Sequence, residues 1–373
     1  MSLATVSLPT QSRPGKYGPD GATRLINCYT EDAGTEGKAR FPIYVNAGWE
    51  TFAALTGQGI IRAAIELNGA IYCVAGDKAC KVSAAGVITV LGTVGGPDLD
   101  KVVTMARNRK VTPQIAIVVD TFMYLIESDV LSTVTDVDLE PDVNSVAHID
   151  GYFVLFCDSG KFQLTSIDEG STIAALDFST ASANPDGGTL CAVRNRDLVL
   201  FGPNSIEFWQ NTGGTFPFTR TTSAVGPDAG LLAARSVAQL NQTLVYVASD
   251  RTVRVLNGYT PERISHHGVE RSIADDPNPE LITALAWHDR GHARYEVSGT
   301  NFTWVYDATT GAWTEAKSYG YERSRASVYV NLNGRHIFGD STSGRLFERG
   351  QNFLNESGDP ITWEVRMSQI HDF

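Results

Sequence analysis

Along most of the chain, short apolar runs alternate with small clusters of Asn, Asp, Gly and Ser. Hardly any stretch keeps the three-to-four spacing of an amphipathic helix; LLAARSVAQL, residues 231–240, comes nearest. From Asn195 to Gly214 the pattern reads NRDLVLFGPNSIEFWQNTGG. A polar turn leads into the apolar strand Leu198–Phe201, a Gly-Pro-Asn-Ser corner follows, and a second strand ends in Phe208 and Trp209. Turn residues of these types permit left-handed or tight backbone, so the strands they separate fold back as antiparallel neighbours. The same order returns in ELNGAIYCVAGDKACKVSAAG (66–86), HIDGYFVLFCDSGKFQLTSI (148–167) and QLNQTLVYVASDRTVRVLNG (239–258). It returns again in WHDRGHARYEVSGTNFTWVYD (287–307) and LNGRHIFGDSTSGRLFERG (332–350), with a weaker member at 107–136.

The units start near residues 66, 107, 148, 195, 239, 287 and 332, spaced 41 to 48 residues apart. Each begins with a strand, turns into a strongly apolar strand, then passes a small-residue corner into a third strand and a looser fourth. A period of roughly 40–50 residues with four short strands per unit predicts propeller blades. One blade alone has open edges and two apolar faces, and packing blades in a ring buries those faces. A pair of β-sandwiches also has frequent turns, but does not predict one turn-strand-corner-strand order seven times. The expected fold is therefore all-β: a β-propeller of six or seven four-stranded blades with an extended N-terminal arm.

The first 60 residues read differently. Up to Arg40 they are rich in Gly, Pro and polar residues, and FPIYVNAGWETFAAL (41–55) then offers a short strand and apolar anchors. Residues 1–60 are expected to form an arm or strap on the main body, 61–350 the propeller, and 351–373 a C-terminal strand segment that begins a further β region. The Gly/Pro-rich arm is suited to reach a neighbouring subunit and to order on assembly.

Charge and cysteines narrow the function classes. A net charge of −12 argues against electrostatic capture of nucleic acid, though not against a wall along which DNA slides. That charge would give a tube a negative lining if the carboxylates face its lumen. The first residues lack a basic-then-apolar leader, and no apolar run approaches the roughly 18–20 residues that span a bilayer, so a soluble chain made in the cytoplasm is expected. The five cysteines, Cys28, Cys73, Cys80, Cys157 and Cys191, are scattered through strand-like runs without a CxxC pair, and read as buried free thiols.

Candidate chemistry is sparse. His288 and His292 stand four apart, a zinc spacing only on a helix; here they flank a Gly-containing turn without the HExxH glutamate, and read as a surface turn. His266-His267 reads as a loop between blades. ADDPNPE (274–280) and DVDLEPD (136–142) lack the DxDxDG pattern of a calcium loop and read as solvated. In VYDATTGAWTEA (305–316), Asp307 is expected to bond turn amides and Trp313 to pack between blades. The segment brushes against the Asp-box of sialidases, but supplies neither their arginine cluster nor their nucleophile. GxSxG, GxGxxG and GxxxxGK[ST] patterns do not occur. No catalytic, cofactor-binding or metal residue is assigned, and no enzyme is expected.

Several segments together resemble the packaged-DNA stabilisation, or tail hub (tail nozzle), proteins of short-tailed bacteriophages. NRDLVLFGPNSIEFWQNTG is similar to that family's signature hairpin, IDGYFVLFCDSGKFQLTSIDE to its preceding blade, and ALDFSTASANPDG (175–187) to its connector. INCYTEDAG and FPIYVNAGWETFAAL resemble its opening strap. The likeness spans roughly residues 25–345. Members of the family continue past the propeller with a further β-rich region, whereas this sequence stops at ITWEVRMSQIHDF. The resemblance implies a non-enzymatic virion protein of the tail, without cofactor and without membrane contact. It implies a homo-oligomer, a ring of six, below the portal and adaptor (the head-to-tail connector). Such a ring continues the DNA channel, helps retain the genome, passes viral DNA without specific recognition, and docks tail fibre or spike proteins. The alternative reading is a propeller that binds carbohydrate or processes glycosides, with a central pocket lined by Trp, Arg and carboxylates.

Overall fold

The structure is a computed structural model that describes residues 8–15, 22–34, 40–96, 98–181, 186–225 and 229–367. Seven antiparallel four-stranded units stand in a ring. Five are separate sheets, covering residues 61–93, 103–133, 143–180, 190–225 and 238–263. The sixth unit, residues 283–315, and the seventh, which starts at Ala326, sit within larger sheets. In the first six units the strands follow one another in sequence from the axis outwards, the seventh takes its outer strand from elsewhere in the chain, and the seven expected repeats are the seven blades.

The burial of each strand follows from its place in the blade. The second strands, such as Ala70–Ala75, Gln114–Val119, Asp197–Phe201 and His292–Ser298, are buried at every residue. They lie between two neighbouring blades, so both faces are covered and the alternation of a half-exposed strand is mostly lost; His292–Ser298 keeps it, with His292, Arg294, Glu296 and Ser298 buried on one face. Outer strands such as Ile88–Thr93 expose much of their length, and there the runs are looser. The core is accordingly divided. Seven apolar clusters fill the seven gaps between blades, one per gap, including the gap between the seventh blade and the first.

The turns between first and second strands bear out the left-handed geometry read from the sequence. Asn68-Gly69, Asp150-Gly151, Arg290-Gly291 and Asn333-Gly334 all have positive φ at both positions, and Asn195 and Asn241 at the first. The second blade alone uses a longer loop, residues 108–113, which explains why it was the weakest repeat in the sequence.

Two features differ from expectation. Gly48–Ala54, placed by sequence within the arm, is the outer strand of the seventh blade, antiparallel to Arg345–Gly350. The blade boundary drawn at residue 60 thus cuts off a strand that sequence distance hides. The second is a helix, His267–Ala274, where a plain loop was expected. The His266 ring caps it by accepting the Gly268 amide at 3.0 Å, and Val269 and Ile273 enter the core between the fifth and sixth blades. Eight residues are too few to show a clear helical period. The helical candidate at 231–240 holds a 3-10 turn, Ala234–Ser236, followed by the first strand of the fifth blade, Ala238–Leu240.

Candidate functional site: the central cavity and the terminal strap

The N-terminal segment is docked on its own propeller. Ala22–Ile26 extends the sixth blade beyond Ala312–Glu315, and is flanked by Arg13–Pro14 and by Glu364–Arg366 from the other end of the chain. Asn27 ties the strap to the end of the sixth blade and to the C-terminal segment: its amide donates to the carbonyls of Lys317 (2.8 Å) and Thr362 (2.7 Å) and accepts from the Lys317 amide at 3.0 Å. Arg24 forms a two-pronged ion pair with Glu315. The two histidines of the HDRGH turn are used separately. His288 bonds Asn241 at 2.8 Å. His292 is buried, not in a surface turn as expected, with Nδ1 2.5 Å from Asp307 and Nε2 3.2 Å from Glu31. Tyr29 lies edge-on to that ring, with the Arg294 guanidinium 4.2 Å from the tyrosine's centre. His292, between Asp307 and Glu31, is a clasp holding the strap to the sixth blade.

Asp307 accepts the Thr309 amide at 2.9 Å, and Trp313 packs in the cluster between blades five and six, as the sequence pattern predicts. In the acidic stretches the carboxylates bond backbone: Asp136 accepts the amides of Asp138 and Ile173, and Asp276 those of Asn278 and Thr300. Among the described residues no group of His, Cys, Asp or Glu is arranged to hold a metal ion. All five cysteines are free and buried, and burial pushes Cys28 and Cys80 up to about 11 and Cys191 to about 12. Such thiols are inert at neutral pH.

The first strands of the blades surround a central cavity of about 1450 Å³. Its charge runs against that of the chain: six arginine or lysine side chains line it, against the two carboxylates of Asp100 and Glu322. At one end Arg107 pairs with Glu66 at 3.3 Å, and Lys110 with Glu127 (3.3 Å) and Glu169 (2.9 Å). Gln114 and then Lys110 hold the Glu169 carboxyl down to about 2. At the other end stand Arg62, Arg235 and Arg323, none of them in an ion pair among the described residues. The lumen-facing carboxylates considered from net charge are thus outnumbered by cations in this cavity. No tryptophan lines it among the described residues, unlike the pocket expected of the carbohydrate reading.

The family described as bacteriophage P22 Gp10, beta-propeller, matches residues 43–349. That span includes the early strand Gly48–Ala54 that completes the seventh blade. The chain belongs to this phage stabilisation family. It is therefore a phage virion structural protein, as the hairpin Asn195–Gly214 and its neighbours suggested. Comparison with curated proteins finds no match in sequence. Among solved structures it is similar to virginiamycin B lyase from Staphylococcus aureus (TM-score 0.56, 11% identity, 81% of this chain and 98% of that one). It is also similar to the WD40 propeller domain of Doa1 (TM-score 0.52, 12% identity, 82% and 97%). At such identities the likeness is one of fold alone, and the lyase's activity does not carry over.

Proposed function

We propose that this member of the phage stabilisation family is the hub, or nozzle, of a short tail. Copies form a ring, six in number, below the portal and adaptor; the ring continues the DNA channel, helps retain the packaged genome and carries fibres or spikes. The observation that carries the reading is the family match, which runs over the whole propeller from the strap's last strands to the seventh blade. The architecture agrees with a mechanical role. Seven blades closed by a strand from the far end of the chain make a rigid disc.

Light scattering of the purified chain, alone and mixed with the phage's adaptor ring, tests the reading. The expected result is a closed oligomer, or a monomer that assembles into a ring on the adaptor. A chain that stays monomeric and ignores the connector counts decisively against the hub role.

A further inference from the structure

The Arg62, Arg235 and Arg323 end of the cavity has no counterpart in the structural role just described. Arg62 is only 7% exposed, yet its donors go to backbone carbonyls: Gly76 at 3.0 Å, Asp98 at 3.3 Å and Lys101 at 2.7 Å. Arg235 reaches the same loop and donates to the Asp100 carbonyl at 3.1 Å. Residues 98–101 therefore hold the two guanidiniums side by side. Each retains a buried Nε without a partner, and most of the pair's N–H donors remain unspent. Arg323 lines the same end and bonds the Gly299 carbonyl at 3.0 Å.

This arrangement is costly for the protein by itself. Burial and, after it, the charge of Arg235 both disfavour the cationic form of Arg62, and Arg235 feels burial and the charge of Arg323 in the same way. Asp98, Asp100 and Asp120 offset Arg62 only at a distance, and Asp100 alone does so for Arg235. The paired cations at the cavity's other end show what a satisfied arrangement looks like.

We propose that this end of the cavity binds a small phosphate-class oxyanion, gripped by Arg62 and Arg235 with Arg323 at its rim. Planar guanidiniums match two oxygens of one anion at a time. Two of them side by side call for more than a single negative charge, which a phosphate group carries near neutral pH and a monocarboxylate does not. The cavity is roomy enough for the phosphate to belong to a larger solute.

The test is calorimetric titration of the full-length chain with inorganic phosphate in low-chloride buffer, followed by ³¹P NMR. The expected result is saturable binding of one phosphate per chain. Arg235→Gln should weaken it by about tenfold or more without lowering the melting temperature of the phosphate-free protein, because a like charge is removed. Arg235→Lys keeps the charge, loses the fork, and should also weaken binding; it serves if the glutamine variant folds poorly. Arg109→Gln, at the opposite end, should leave the affinity unchanged. The proposal is overturned by an absence of saturable binding, by equal losses in Arg109→Gln and Arg235→Gln, or by a short single-stranded oligonucleotide binding where phosphate does not. Since no connector protein enters the experiment, its outcome is independent of the tail-hub reading.

Discussion

Trp209 shows how one side chain serves a ring of blades. It is buried in the gap between the third and fourth blades, edge-on to Phe162 at 4.9 Å, and its indole N–H donates to Glu207 at 3.0 Å. Trp209→Ala should cost about 3–5 kcal/mol, read as a lower urea midpoint; an unchanged midpoint would mean the indole contributes nothing to the inter-blade core. Gly334, at φ +85°, makes a cleaner test, since a Cβ there meets only open space. Gly334→Ala should therefore cost about 1–2 kcal/mol by backbone strain alone. Glu169 sets a pH dependence. Its carboxyl is held down to about 2 from an ordinary 4.5, so its contribution is complete above pH 4.5 and is lost as pH falls toward 2. A melting-temperature profile of Glu169→Gln should run flatter over that window than the parent profile, and parallel profiles would contradict the assignment.

At the scale of elements, the decisive one is the strand Gly48–Ala54. It pairs with Arg345–Gly350 across nearly the whole sequence, and Trp49 stacks on Phe347 with centres 5.2 Å apart. A chain lacking residues 1–55 leaves the seventh blade with an open edge and an uncovered aromatic cluster. It is expected to elute as aggregate and to bind a hydrophobic dye, and elution as the parent does would contradict a closing role for this strand. The blade strands themselves were legible in the sequence because each turn carries its own signal, Asn-Gly or Asp-Gly between apolar runs. Gly48–Ala54 was not, because its partner lies some three hundred residues away and pairing partners leave no local trace. His292 was misplaced for a similar reason: Glu31, which covers it, comes from the far end of the chain.

For the whole molecule, the charge distribution matters more than its sum. The chain carries −12, yet the charged side chains that line its central cavity are mostly cations. Wherever acidic surface meets DNA, repulsion favours passage over sticking. Purified chain should accordingly show no retention on duplex DNA at low ionic strength, measured by gel shift. Tight, salt-sensitive retention would count against a passive channel wall.

Local rules sufficed for the repeat. The turn residues and the period near 44 residues specify seven antiparallel units whose apolar faces can be buried only against one another, and that pattern, with the hairpin Asn195–Gly214, also carried the family. Tertiary structure decided how the ring closes, which polar residues clasp the strap, and which charges share the cavity. Arg62 and Arg235 are far apart in sequence, and only the curvature of seven blades brings both guanidiniums to one loop. Backbone preference acts over a few residues, whereas closure and electrostatics depend on distances through space.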